Sequence, residues 1–189
     1  MSVAYQTPVM NPHIAALEPA IGQATDPVEL LAIAHNEPRL LRAVCRALSE
    51  ESAAVLEISQ DRWDFDDPQQ QQAIEWALQQ GQVKQLLLVG SSQSGGAQSK
   101  ASVISQQNSG QEKRGFDSIL ENVERGNSQV AAAQQRFAEL LHGLAENPVV
   151  QDQMRTGALT LVGLFYHSAS GTFAAYDLES KKFRALMHN

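Results

Sequence analysis

Four large apolar residues in a row, residues 86–89, run directly into a stretch of small residues at 90–97. A short, uninterrupted apolar run is typical of a strand that is buried on both faces of a parallel sheet. The small residues that follow it predict a tight turn that opens a helix. The backbone N–H groups of such a turn attract anions, and this makes Gly95 and Gly96 candidate anion-binding residues. A tight turn without a ligand explains the same small residues.

Strand-like and helical segments alternate along the rest of the chain. Apolar residues at helical or strand-like spacing predict helices at 38–52, 68–80, 116–142 and 148–156, and strands at 53–58, 83–89, 158–167 and 172–177. Two points stay open. Residues 28–34 are too short a run to separate a strand from a helix, and the helix at 116–142 is either continuous or broken near Gly126. The alternation predicts an α/β fold: a mostly parallel central sheet flanked by helices, with an antiparallel C-terminal edge hairpin.

The chain of 189 residues is long enough for one domain with a sizeable core. We assign residues 1–25 to an N-terminal arm and residues 26–189 to the domain. Residues 98–115 are dominated by Ser, Gln, Gly, Asn and Lys, which predicts a flexible loop that is longer than most connections in a compact domain. The loop and the arm are the segments through which we expect a protein partner to bind.

Charge and composition exclude several classes of function. The net charge of −7 disfavours nucleic-acid binding and attraction to anionic membranes. No apolar run approaches the length of about 20 residues that a membrane span needs, so no membrane insertion is expected. The N-terminus lacks the features of a secretory signal, which predicts a cytoplasmic protein. Cys45 is the only cysteine, so an intrachain disulfide is excluded, and its helical segment predicts a small core residue.

Three segments resemble the β-class carbonic anhydrases. Residues 74–90 are similar to that family's helix of the L-E-Y-A-V kind and to the strand after it, which ends in G-H-S-x-C-G-A. Residues 147–166 are similar to its P-x-V and G-x-L-x-L-x-G-x-x-Y motifs, and a glycine-containing hairpin follows in both. Residues 33–39 match its C-x-D-x-R segment. The resemblance spans about residues 28–183 and implies a β-carbonic anhydrase-like fold.

The resemblance also implies where the family's site residues fall. The first zinc cysteine falls on His35, the zinc histidine on Ser91 and the second zinc cysteine on Ser94. The aspartate and arginine of the family's dyad fall on Glu37 and Arg39. A serine hydroxyl is a poor zinc ligand, so we expect no zinc, no metal site and no catalytic residue at these degenerate positions.

Alternatives to these assignments remain. His35 is either a relic metal ligand or a histidine that is simply hydrogen-bonded. Glu37 and Arg39 either keep the family's ion pair, with Arg39 offered to a bicarbonate-like anion, or form a solvated helix start. Ser94 as a hydrolase nucleophile is disfavoured, because the elbow motif G-x-S-x-G requires a glycine where Ser92 stands.

The functional expectation is a catalytically inactive β-carbonic anhydrase-like protein, a pseudoenzyme with a structural, regulatory or interaction role. By the resemblance, its setting is inorganic-carbon handling and its assembly is a homodimer or a higher homo-oligomer. The alternative is a carbonic anhydrase that hydrates CO₂ with a rearranged metal site.

Overall fold

The computed structural model describes residues 11–22, 27–48, 52–58, 67–93 and 115–186, and within 115–125 it describes only the course of a helix. In chain order the elements are α1 (Pro12–Ile21), β1 (Leu30–His35), α2 (Pro38–Ala47), β2 (Ala53–Ile58), α3 (Pro68–Gln80), β3 (Gln85–Ser91), α4 (Gly115–Glu146), α5 (Pro148–Arg155), β4 (Thr160–His167), β5 (Thr172–Asp177) and β6 (Lys182–Ala185).

The strands form one sheet of six in the order β2-β1-β3-β4-β5-β6. β2, β1, β3 and β4 pair in parallel, whereas β5 and β6 are added to the sheet in antiparallel orientation. This architecture confirms the predicted fold class. It also settles the open segment at 28–34, of which residues 30–34 belong to β1, and adds β6, which the sequence analysis did not predict.

Local sequence signals explain where several helices begin. α2, α3 and α5 each start with a proline in the first turn, where its missing N–H is not needed. The Asp67 side chain caps α3 by accepting a hydrogen bond from the backbone N–H of Gln69 at 2.9 Å. The Asn147 side chain caps α5 in the same way through Val149 at 3.0 Å.

Alternate side chains of the buried strands enter two separate cores. In β3, Leu86 and Leu88 point to one face of the sheet, where they pack with residues of α1, α3, α4 and α5. Leu87 and Val89 point to the other face, where they pack with residues of α2. A strand that is covered on both sides must be apolar throughout, which is why residues 86–89 show no alternation.

The helices settle one open point of the sequence analysis and differ from it in two respects. α4 runs without a break past Gly126, which is exposed and meets no neighbouring atom that would require a bend. α2 ends at Ala47 rather than extending to residue 52. Cys45 is exposed and not a core residue, because α2 buries Leu40 and Val44 and the next position along the helix turns to solvent.

The segment assigned to an N-terminal arm is helical over part of its length. Residues 12–21 form α1, which packs against α3 and β2 and buries Leu17 and Ile21. Asn11 joins α1 to α3, because its side-chain amide donates to the carbonyl oxygen of Gln69 at 2.7 Å.

The predicted flexible loop at 98–115 lies outside the described residues apart from Gly115, the first residue of α4. Across the described parts of the chain, none of the helices combines the length and the apolar character that a membrane span requires.

The contact between α4 and the sheet depends on glycine. A Cβ atom added at Gly90 would overlap the ring of Phe137, which also packs against the rings of Phe165, Tyr176 and Phe183 on the same sheet. The Gly90→Ala variant is therefore expected to lose about 1–3 kcal/mol of unfolding free energy in a denaturant titration, because the ring must leave its packed position to admit the methyl group.

Gly126→Ala is the matched control for Gly90→Ala. An added Cβ at Gly126 meets nothing within 4 Å, so this variant is expected to gain about 1 kcal/mol through the higher helix propensity of alanine. Replacing Phe137 by leucine in the Gly90→Ala background is expected to recover part of the loss. Equal stability of the two glycine variants would contradict this description of the contact between α4 and β3.

Candidate functional site

The site predicted from the sequence lies where β1 and β3 end. The two strands pair in parallel with Ala34 opposite Val89, which brings their carboxyl ends to the same edge of the sheet. His35 is the last residue of β1 and Ser91 is the last residue of β3. The sheet register therefore brings two of the five aligned positions together although 56 residues separate them in the numbering.

A buried carboxylate lies at the centre of the site. Glu37 follows β1 after a tight bend in which its backbone N–H donates to the carbonyl oxygen of His35 at 2.7 Å. It occupies the N-cap position of α2 but makes no capping hydrogen bond with its side chain. Instead the carboxylate is 5% exposed and accepts a hydrogen bond from the hydroxyl group of Ser91 at Oε2. The bend after β1 thus turns an acidic side chain into the protein interior.

A second serine completes this cluster. The Ser168 hydroxyl group donates to Oε1 of Glu37 at 3.2 Å and lies 3.3 Å from Oγ of Ser91. Both carboxylate oxygens therefore have a hydroxyl donor. We call Glu37, Ser91 and Ser168 the Glu37 cluster. It joins the ends of β1 and β3 and the turn between β4 and β5, three segments that are far apart in the chain.

Backbone hydrogen bonds hold the two serines in place. The Gln93 N–H donates to Oγ of Ser91 at 3.0 Å, and this leaves the Ser91 hydroxyl hydrogen for Glu37. The Ser168 N–H donates to Oγ of Ser92 at 3.0 Å, and the Ser92 N–H donates to the carbonyl oxygen of Tyr166 at 2.9 Å. The turn after β3 and the β4–β5 turn are thereby joined to each other directly.

His35 lies beside the cluster in an unusual state. It is 4% exposed, and neither ring nitrogen has a hydrogen-bond partner among the described residues. Burial lowers the pKa of His35 from its ordinary value because desolvation disfavours the charged ring, and the nearby Glu37 carboxylate opposes this effect. At neutral pH the ring is therefore uncharged, with one N–H donor and one nitrogen acceptor unused.

A small cavity opens beside His35. Its volume is about 50 Å³, and its described lining consists of His35, Gly90, Ser91, Ala133, Arg136, Phe137 and Leu140. The ends of β1 and β3 contribute His35, Gly90 and Ser91 to this lining, and α4 contributes three apolar residues and one exposed arginine.

The remaining predicted site residues lie elsewhere. Arg39 is exposed and forms no ion pair with Glu37, although the two residues are only two positions apart. The carboxylate turns inward at the N-cap while Arg39 lies on the solvent side of the first turn of α2. Ser94, Gly95 and Gly96 lie outside the described residues. Ser168 was missed from the sequence, because a serine in a hairpin turn has an ordinary local explanation.

The side chains in the described part of this site do not fit a zinc centre. A protein zinc site draws about four ligands from thiolate, imidazole and carboxylate groups. Here the ends of β1 and β3 supply one imidazole, and the Glu37 carboxylate already accepts hydrogen bonds at both oxygens. Within the described ranges, no three His, Cys, Asp or Glu side chains are grouped so that they could hold a metal ion.

The fold of this chain, a mostly parallel six-stranded sheet with an antiparallel C-terminal edge, is similar to the fold of solved β-carbonic anhydrases. The β-carbonic anhydrase CcaA aligns with 92% of this chain and 83% of its own, with a TM-score of 0.60 and 17% sequence identity. A tetrameric β-carbonic anhydrase from the filamentous ascomycete Sordaria macrospora aligns with 87% of this chain and 86% of its own, with a TM-score of 0.56 and 21% identity.

A mutant of the β-carbonic anhydrase CafD from Aspergillus fumigatus aligns with 83% of this chain and 92% of its own, with a TM-score of 0.55 and 14% identity. No protein-family model matches the sequence, and no curated protein matches it either. The chain therefore has the β-carbonic anhydrase fold.

Proposed function

We propose that this protein is a catalytically silent relative of the β-carbonic anhydrases, a pseudoenzyme with a structural, regulatory or interaction role. The observation that carries the proposal is the Glu37 cluster. A buried carboxylate bonded to two serine hydroxyl groups occupies the strand ends where the resemblance aligns the family's zinc ligands.

The chemistry of hydration supports this proposal. Attack of water on CO₂ at neutral pH needs a nucleophile, and a zinc ion supplies one by lowering the pKa of its bound water from 15.7 to about 7. A neutral imidazole and serine hydroxyl groups do not provide that charge. The Glu37 carboxylate is engaged at both oxygens, so it is not available as a free base for a water molecule.

The setting that we propose is inorganic-carbon handling in the cytoplasm, by analogy of fold. Fold alone does not establish a function, so the partner must be identified by experiment. The segments that we propose for partner binding are the loop at 98–115 and the residues before α1, both largely outside the described residues. A pull-down from the native cell with and without residues 98–114 tests this part of the proposal.

The absence of catalysis is tested by measuring the zinc content and the CO₂ hydration rate of the same purified sample. We expect much less than one zinc per chain by elemental analysis and no proton release above that of buffer in a stopped-flow assay. A matched sample of an active β-carbonic anhydrase, purified in the same way, shows that the procedure does not strip the metal. About one tightly held zinc per chain with hydration that a chelator abolishes would refute the proposal.

That outcome would instead favour a carbonic anhydrase with a rearranged metal site. One observation supports this second candidate. Both ring nitrogens of His35 lack a partner among the described residues, so the imidazole has a lone pair that can bind a metal. His35 would then be one ligand, and the others would come from outside the described residues.

We also propose that the protein assembles as a homodimer or a higher homo-oligomer. The similar enzymes from Sordaria macrospora are tetrameric. In this chain, the sheet face that packs with α2 carries Val55, Leu87, Leu164 and Phe173 only partly buried, and covering them would remove apolar surface from water. Light scattering at micromolar concentration is expected to give at least twice the chain mass of 20.6 kDa. A stable monomer at that concentration would contradict this proposal.

A further inference from the structure

We propose that a second copy of this chain covers the open face of the sheet, and that the segment lying on it is the start of α4, residues 116–124. The open face is the side of β3, β4, β5 and β6 that is opposite α4. This inference deepens the homo-oligomer proposed above and rests on it. It names the two surfaces that meet, and each copy contributes one of each kind.

The strand pairing defines the residues of the open face. Residues directly opposite each other on neighbouring strands share a face. In β3, Leu87 and Val89 point away from α4, and the pairing continues their face across the sheet to its edge. Three rows result: Leu87, Val162, Asp177 and Lys182; Val89, Leu164, Ala175 and Arg184; Ser91, Tyr166, Phe173 and, one residue past β6, Leu186.

The described helices leave much of this face uncovered. Of these helices, α2 alone packs on it, mainly at β1, whereas α1, α3, α4 and α5 pack on the other face. Leu87, Leu164 and Phe173 are only partly buried, and Leu186 is 46% exposed. β3 and β4 are parallel strands inside the sheet, and such strands are almost always covered on both faces. A further apolar segment is therefore expected on the open face.

The first half of α4 extends beyond the sheet. Ala133 is the first buried residue of the part of α4 whose side chains are described, and it lies beside Gly90 near the carboxyl end of β3. Residues 115–132 precede this contact and span about 27 Å at 1.5 Å per residue. Over 126–132 only Val130 is even partly buried. The start of α4 thus projects from the edge of the sheet where β3 ends.

The sequence of the projecting segment is that of an amphipathic acidic helix. Residues 116–124 read Phe-Asp-Ser-Ile-Leu-Glu-Asn-Val-Glu, with apolar residues at 116, 119, 120 and 123. These positions share one face of a helix. Three of the nine residues are acidic and none is basic. A helix of this kind matches an apolar surface that has cations beside it.

Cations lie on both sides of the open face. On α2, Arg39 and Arg42 are exposed on the side opposite Leu40, and neither has an ion-pair partner among the described residues. At the other side, on β6, Lys182 is exposed and Arg184 pairs with Asp177 at 2.6 Å. α2 contains no acidic residue, although the chain as a whole has a net charge of −7. The charges of the two surfaces are therefore complementary.

Geometry favours a second copy as the source of the helix. The four strands from β3 to β6 span about 14 Å at 4.8 Å per step, and nine helical residues span about 13 Å. α4 is continuous and packs on the opposite face, so its start does not reach the open face of its own sheet. A two-fold axis between two copies places each projecting helix on the open face of the other and closes the assembly.

The test is reversal of charge on each surface of the full chain. One variant carries Arg39→Glu and Arg42→Glu, and the other carries Glu121→Lys and Glu124→Lys. Each variant alone is expected to dimerise at least about tenfold more weakly than the parent in sedimentation equilibrium, because like charges then meet in both contacts. An equimolar mixture is expected to recover association, since opposite charges meet again in both contacts of the mixed dimer.

Arg136→Glu together with Arg155→Glu is the matched control. This variant makes the same change in net charge at exposed positions of α4 and α5, on the other side of the sheet. It is expected to dimerise like the parent. Far-UV circular dichroism and thermal unfolding of every variant establish that the comparison is between folded proteins.

The outcomes separate this inference from the proposed oligomer. A dimeric parent whose arginine variant associates equally well overturns the inference and leaves the homo-oligomer standing. Weakening by the lysine variant alone would also overturn it, because the projecting helices would then contact each other. A mixture that associates no better than its components has the same meaning. A monomeric parent refutes the homo-oligomer first, and the open face then belongs to another protein.

Discussion

The Ser91→Ala variant is expected to unfold about 5–10 °C below the parent protein in a calorimetric scan. Ser91 is fully buried and donates to Oε2 of Glu37. Its removal leaves a buried carboxylate with one donor fewer, and the Gln93 N–H loses its acceptor. An uncompensated buried charge is among the most destabilising consequences of a single substitution, so the expected loss of unfolding free energy is about 2–3 kcal/mol.

The control for this variant is Ser170→Ala in the β4–β5 turn. Ser170 is exposed and hydrogen-bonds to Thr172, so its replacement is expected to change the unfolding temperature by no more than about 2 °C. A double-mutant cycle then isolates the role of the charge. In a Glu37→Leu background the further change Ser91→Ala is expected to cost less, because no carboxylate remains to be satisfied and only the acceptor of the Gln93 N–H is lost. An equal cost in both backgrounds would show that Ser91 acts through packing and not through Glu37.

The triple variant His35→Cys, Ser91→His, Ser94→Cys is expected to bind zinc at least about a thousandfold more tightly than the parent protein. Two thiolates and one imidazole would replace one imidazole and two hydroxyl groups, and these are the ligand types that zinc prefers. Catalysis need not return with the metal, because ligand orientation depends on surrounding groups and Glu37 stands where the family has aspartate. Competition with a chromogenic chelator measures the affinity.

The double variant His35→Cys, Ser91→His is the control for this prediction. It changes the two positions that the structure brings together and leaves Ser94, which lies outside the described residues, unchanged. We expect the third ligand to add most of the gain. If the triple variant binds zinc no better than the double variant, Ser94 does not reach the site and the alignment of residues 90–97 with the family's motif fails.

Much of the fold was predictable because its signals are local. Asp67 and the proline after it define the start of α3, and the apolar run at 86–89 defines a strand buried on both faces. Where local signals are absent, the prediction fails or stays open. β6 has only four residues and lies at the sheet edge, and β1 is buried on both faces and so lacks the alternation that would identify a strand.

The candidate site was predictable only in part. The resemblance aligned His35, Glu37 and Ser91, and the parallel register of β1 and β3 brings their segments together. The sequence left open whether Arg39 pairs with Glu37 or is solvated, because the direction of each side chain depends on how α2 begins. Ser168 donates to Glu37 across a separation of 131 residues, and no pattern in a single sequence indicates a contact of that range.

The strand order has a consequence for how the crevice at this site is formed. From β1 the chain crosses to β2 on one side, and from β3 it crosses to β4 on the other, so the connections diverge between two adjacent strands. The helices that follow them, α2 and α4, cover opposite faces of the sheet. A crevice at such a topological switch point is made by chain connectivity and not by the residues that line it. Substitution at the strand ends can therefore change what the crevice holds while the backbone that forms it stays the same.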